Sequence, residues 1–376
     1  MKIPLIRADL PPFDAVKDSL QEILENGKVT NFGKYVTQFE QETAAYLGTQ
    51  TATVSSGTMA LLFTLQAMGL QPGQKVIVPS FSFMATAQAV FYAGGTPVFA
   101  EVGEDLNISS EDLQGLLRRH PDTAMVVGVH LYGLPCRVQR IQQVVEEVQK
   151  KLGRPIPVVY DAAHAFGAAI GNQRVGAFGA AEVFSLSVTK ALVCVEGGLV
   201  SSKDAQLIQR IRKMRNYGVE ENYNAHWPGL NGKMSEFHAI VGIHNLRNLD
   251  SVLETRARKA AYYARQIEMK TSFRTLHVPK EVTHTFKDLT ILVPAALKGK
   301  RDRIMQSLSE QEVETRAYFY PPIHEQKFFS RFADRALPVT EDLSRRVITL
   351  PFFTSITEEQ MDTVAEALQK AERSLA

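Results

Sequence analysis

Four short stretches of this sequence pair reactive or ligand-holding residue types with a loop after an apolar run. In VFSLSVTKALVCVEGG (183–198) an apolar run ends at Ser185, and Lys190 follows among apolar neighbours. Burial disfavours an ammonium, and a neutral amine attacks an aldehyde to form a Schiff base. The plain alternative is an exposed turn lysine, the commoner fate of lysines. In VVYDAAHAFGA (158–168) Asp161 ends a second apolar run, with His164 three residues on. A carboxylate there can pair with a protonated pyridine nitrogen and keep that ring an electron sink. Equally, Asp161 could cap a following helix, and His164 could be a core histidine satisfied by backbone. TVSSGTMALLFTL (53–65) places Gly57 and Thr58 where a helix opens. Free N–H groups and the positive end of the helix dipole suit a phosphate there, although a Ser/Thr cap is common without one. Phe83, after the run VIVPS, could stack on a flat ring or simply fill the core.

No single stretch decides between these readings, but their order carries more weight. A phosphate turn, an aromatic, an acid and a lysine each follow an apolar run, and together they supply contacts for phosphate, ring face, ring nitrogen and aldehyde carbon. GxSxG, HExxH, Walker and GxGxxG patterns do not occur. With two cysteines, Cys136 and Cys194, a disulfide framework or metal site is not expected.

The elements that must position these residues follow from periodicity. TATVSS, KVIVPS, TPVFAEV, AMVVGVHLYG, IPVVYDAAH and AEVFSLS are short, rich in Val, Ile or Phe, and bounded by turn residues, so they predict buried strands. Helical patterns lie between them at Thr58 to Met68, Met84 to Tyr92, Ser110 to Arg119 and Val138 to Leu152, with Ser109 or Ser110 as an N-cap. Such alternation predicts an α/β fold with a mainly parallel sheet, whose ligands sit at the carboxyl ends of the strands. After Glu236 the pattern changes to a long helical run, Met234 to Arg265, then LTILVPA, a helix around Arg301 to Gln311, ETRAYFYPPIH and a last helix from Glu358 to Glu372. This predicts a smaller α/β domain.

Composition fits such a chain. Its 376 residues suit one large and one smaller domain. Apolar residues make up 45% and charged residues 22%, with a net charge of +2 and no block of like charge. Neither a nucleic-acid groove nor a membrane patch is expected. No run reaches the length of a membrane span and no leader pattern opens the chain, so a cytoplasmic protein is the expectation.

Over nearly its whole length the sequence resembles the DegT/DnrJ/EryC1/StrS family of pyridoxal 5′-phosphate (PLP)-dependent sugar aminotransferases, which have the aspartate-aminotransferase fold. Besides the stretches above, the resemblance rests on GKVTNFGKYVTQFEQETAAYLG (27–48), VVGVHLYGLP (126–135), RKMRNYGVE (212–220), GLNGKMSEFHAIVG (229–242), YFYPPIH (318–324) and VITLPFFTSITEEQ (347–360). It implies a large PLP-binding domain with an N-terminal arm over 1–250 and a small C-terminal α/β domain over 251–376. Residue by residue, it implies Lys190 as the Schiff-base lysine and Asp161 as the acid on the pyridine nitrogen. His164 lies against the ring or near its phenolic oxygen. Ser185, Gly57 and Thr58 hold the phosphate, and Phe83 stacks. Asn231 reaches the phosphate from a neighbouring subunit, which implies a homodimer with shared active sites. The implied reaction moves an amino group from L-glutamate to a nucleotide-linked keto sugar, in amino-sugar and polysaccharide biosynthesis.

The sequence departs from the family pattern at Ala191, where Asn is usual, at Gly232, where an aromatic is usual, and at Lys233, where Arg is common. One branch of the family, the dehydratases, carries His in place of the lysine. A PLP-dependent dehydratase and a non-catalytic PLP-binding regulator are the rival readings. Arg316, Tyr318 and His324 either face the substrate or pack the small domain.

Overall fold

The computed structural model describes residues 2–375. Seven strands form the main sheet: β1 (Gln50–Val54), β2 (Lys75–Pro79), β3 (Thr96–Ala100), β4 (Met125–Val129), β5 (Val158–Asp161), β6 (Ala181–Ser185) and β7 (Gly198–Ser202). Across the sheet they run β1-β7-β6-β5-β4-β2-β3. Only β7 is antiparallel to its neighbours. All six predicted strands are present. The seventh, GLVSS, is too polar at its end to stand out in the sequence, yet it is buried throughout.

The strands read as continuous apolar runs because both faces are covered. Successive residues alternate between the two sides. Ile77, Val126, Tyr160 and Phe184 enter one core cluster, and Val78, Val127 and Val183 enter the other. The helix Val138–Leu152 shows the covering logic. It buries Val138, Ile141, Val144, Val145 and Val148, a stripe at three- and four-residue spacing. Burying each such side chain contributes roughly 1.5–3 kcal/mol. Ser109 is the N-cap of Ser110–Arg119, its hydroxyl accepting from the Asp112 N–H at 3.3 Å.

The long helical run expected from Met234 to Arg265 is instead two helices, Glu236–Arg247 and Leu249–Lys270. Asn248 breaks it. Its side-chain amide donates to the His244 carbonyl at 2.9 Å, a local bond that competes with the helix ladder. The second helix, with Arg301–Glu310 and Glu358–Arg373, covers a three-stranded antiparallel sheet of Arg274–Thr275, Leu289–Leu292 and Val347–Leu350. Tyr263, Ile267, Ile291, Ile304, Ile348, Val364 and Leu368 form its core. Among the described residues, no helix is long and apolar enough to cross a membrane.

Candidate active site

Strand register sets the site. Gly198 pairs with Val54 on one side and Ser185 on the other, and Asp161 pairs with Val129 and Val183. The ends of β1, β4, β5 and β6 therefore open at one edge, where a cavity of about 330 Å³ lies. Its lining includes Gly57, Thr58, Phe83, Asp161, His164, Ser185 and Lys190. Of the site residues expected from sequence, only Asn231 is absent from it. Asn231 is exposed, and its backbone bridges to Asn216.

The loop carrying Lys190 is pinned at its base. The Leu186 N–H donates to the Gly197 carbonyl at 2.9 Å and the Cys194 N–H to Leu186 at 2.8 Å. Leu192 and Cys194 are buried, so the loop is anchored in the core. Within it the Lys190 N–H donates to the Ser187 carbonyl at 3.0 Å, a tight turn that aims the side chain at the cavity. Burial lowers the Lys190 amine to about 7, and the nearby Lys287 ammonium pushes in the same direction. A lysine so placed is a nucleophile near neutral pH, unlike an exposed turn lysine.

No helix follows Asp161, so its alternative role as a helix cap falls away. One carboxylate oxygen accepts from the Thr86 hydroxyl at 2.8 Å and the other from the Ala163 N–H at 3.1 Å. Ser82 and Thr86 hydroxyls lie 3.0 Å apart, so Ser82 can fix the Thr86 rotor. Asp161 is 5% exposed, and burial raises its carboxyl above the usual range. A buried acid with two neutral donors and no cation bonded to it suits a cationic ring N–H.

His164 accepts the Tyr132 N–H on Nδ1 at 3.1 Å, which leaves the proton on Nε2. Burial, then the charges of Lys190 and Lys287, hold its pKa well below the ordinary value, so it is neutral. Its ring lies nearly parallel to those of Tyr132 and Phe319, at interplanar angles of 3° and 16° and centroid separations of 6.5 and 6.2 Å. His164, Phe319 and Phe83 give the cavity an aromatic lining. Phe83, half exposed, sits 6.0 Å from Phe319.

Ser56 caps the helix Gly57–Ala67, its hydroxyl accepting from the Met59 N–H at 3.2 Å. The N–H groups of Gly57 and Thr58 belong to the first turn, where a helix offers no internal partner. A Cβ on residue 57 would meet the Ser185 Cβ at 2.8 Å, so only glycine lets the turn and the Ser185 hydroxyl close on one anion. Phosphate turn, ring-nitrogen acid, aromatic lining and amine are the set of contacts that PLP requires, and these residues fit it.

Lys287, Phe319, Glu196 and His130 also line the cavity, and local sequence does not single them out. Only His130, which directly follows β4, holds a position that could flag it. Lys287 and Phe319 enter from the chain beyond the large sheet, where no local pattern marks them. Of the three undecided residues, Tyr318 lines the cavity. His324 is packed instead, with Nδ1 2.6 Å from the Ser80 hydroxyl. Arg316 pairs with Glu314 at 2.9 Å, with half its side chain exposed.

A profile of the DegT/DnrJ/EryC1/StrS aminotransferase family matches residues 14–369. The chain is 32% identical to a UDP-N-acetyl-3-dehydro-α-D-glucosamine 3-aminotransferase of Acidithiobacillus ferrooxidans, over 98% of this chain and 97% of that protein. It is 29% identical to a GDP-perosamine synthase of Vibrio cholerae, over 93% of this chain and 94% of that one. Among solved structures, DesI with its TDP-sugar product superposes with a TM-score of 0.91 at 31% identity, covering 99% of this chain and 94% of the other.

Proposed function

Because the chain belongs to the DegT/DnrJ/EryC1/StrS aminotransferase family, we propose that it transfers an amino group from L-glutamate to a nucleotide-linked keto sugar, with PLP held as a Schiff base on Lys190. The observation that carries this reading is the convergence of Lys190, Asp161, His164, Ser185, Gly57 and Thr58 on one cavity. When bound, PLP supplies an aldehyde that takes up amines and a cationic ring that accepts the electron pair released at a substrate carbon. Lys190 binds that aldehyde. With a donor amino acid bound, Nζ would be the base that removes the Cα proton, a role its lowered pKa suits. Asp161 holds a proton on the ring nitrogen. His164 would lie against the ring or near its phenolic oxygen, Phe83 would stack on the ring, and Gly57, Thr58 and Ser185 would hold the phosphate. The names of the relatives, which act on UDP-, GDP- and dTDP-linked sugars, support a nucleotide-linked acceptor.

Asn231 belongs to a second site in the same proposal. It lies on an exposed segment together with Tyr217, Tyr223 and Leu230, which are 53%, 97% and 50% exposed. We assign this segment to a second copy of the chain in a homodimer, with Asn231 reaching that copy's phosphate turn. The test of the whole reading is a half-reaction. PLP-loaded protein mixed with L-glutamate, without acceptor, should convert to the pyridoxamine form with one equivalent of 2-oxoglutarate released. Mass spectrometry of a panel of nucleotide-linked keto sugars then identifies the acceptor. Cofactor binding without that conversion would favour a regulator and refute the aminotransferase reading.

A further inference from the structure

The cavity holds one cation that cofactor binding does not use. The charged or chargeable nitrogens among its lining residues belong to Lys190, Lys287, His130 and His164. Lys190 is committed to the aldehyde. His164 is neutral. His130 is fully buried, with Nε2 on the Glu182 carboxylate at 2.8 Å and Nδ1 accepting from the Cys136 N–H at 3.0 Å. That leaves Lys287.

Lys287 is 5% exposed and stands two residues before Leu289–Leu292, far along the chain from the phosphate turn. Its ammonium donates to the Asp288 carboxylate at 2.7 Å and lies 5.6 Å from the Tyr318 ring centre. Asp288 is its only hydrogen-bond partner among the described residues, and an ammonium has three N–H groups. The backbone behind the cation is pinned, with the Lys287 N–H donating to the Tyr132 carbonyl at 3.1 Å and the Lys287 carbonyl accepting from Arg256 at 3.3 Å. Lys287 lines the same cavity as Lys190 and His164, and its charge acts on both.

A sugar ring offers neutral hydroxyls, whereas every α-amino acid brings a carboxylate on the carbon that loses its proton. We propose that Lys287 anchors the α-carboxylate of the amino donor by a charge-assisted hydrogen bond, and so selects α-amino acids for the first half-reaction. This rests on the aminotransferase reading above. Asp288 is then a positioning residue that keeps the ammonium at the wall, where a lone buried lysine would lose its charge.

The experiment uses PLP-loaded protein, with L-glutamate and free UDP, GDP and dTDP as probes. Lys287→Met alone would strand the Asp288 carboxylate, so the informative variant is Lys287→Met with Asp288→Asn, and Lys287→Arg is the charge-retaining control. Spectral titration should show the double variant binding glutamate about 10- to 100-fold more weakly, the loss expected for one charge-assisted bond. Its affinity for the nucleoside diphosphates and its thermal melt should stay as in wild type, and Lys287→Arg should recover most of the glutamate affinity. Unchanged glutamate affinity overturns the proposal. So does a selective loss of nucleoside-diphosphate binding, which would place Lys287 on the acceptor. Wild type that binds glutamate through Lys287 but never releases 2-oxoglutarate would support the anchor and refute the aminotransferase reading alone.

Discussion

Replacing Asp161 with Asn separates the cofactor role of this residue from any role in folding. In the cofactor-free protein the carboxylate is buried with two neutral donors, the Thr86 hydroxyl and the Ala163 N–H. Its folded pKa lies above its unfolded value. Stability linked to its protonated form is therefore present below about pH 4 and lost as pH rises through the folded pKa. At neutral pH the ionised group is a cost. Asn keeps the shape and removes that cost, so cofactor-free Asp161→Asn should melt at or slightly above the wild-type temperature. With PLP bound the sign reverses, because the ring N–H loses its counter-charge. Stranding one member of a buried ion pair costs about 3–5 kcal/mol. At about 1.4 kcal/mol per decade, the glutamate half-reaction should slow roughly 10²- to 10³·⁵-fold. The assay pairs stopped-flow absorbance with melts taken with and without PLP. Half-reaction rates within about threefold of wild type would refute the ring-nitrogen role. A large drop in the cofactor-free melt would instead make Asp161 a structural residue.

Two further outcomes follow from the same geometry. Because the Lys190 amine sits at about 7, uptake of PLP by the cofactor-free protein should rise with pH to about 7 and then level off, whereas an ordinary lysine would keep gaining about tenfold per pH unit through pH 9. The rate of absorbance growth on mixing with PLP reads this directly. Lys190→Ala and Asn231→Ala, each impaired alone, should recover activity when mixed under subunit exchange, since one site of each mixed dimer is intact. Absence of recovery would refute the shared active site.

Much of the fold and the site is legible in the amino-acid sequence alone. The strands of the main sheet announce themselves because both faces are buried, so Val, Ile and Phe run on unbroken between turn residues. That pattern alone puts Gly57, Asp161, Ser185 and Lys190 at strand ends. What the sequence hides is whatever depends on contacts from far along the chain. Asp161 is buried under Thr86, 75 residues away. Tyr132 donates to His164, which fixes its tautomer. Lys287 and Phe319 reach the cavity from segments whose local sequence looks like any strand edge or loop. The helix break at Asn248 is hidden for the opposite reason, since the apolar spacing continues past a side chain that bonds its own local backbone.

The Schiff base itself is open to one direct measurement. PLP-loaded protein is reduced with borohydride, digested and sequenced by mass spectrometry. One pyridoxyl group, on the peptide carrying Lys190, is the predicted result. A pyridoxyl group on Lys287 or on any other lysine, or none at all, would contradict the account.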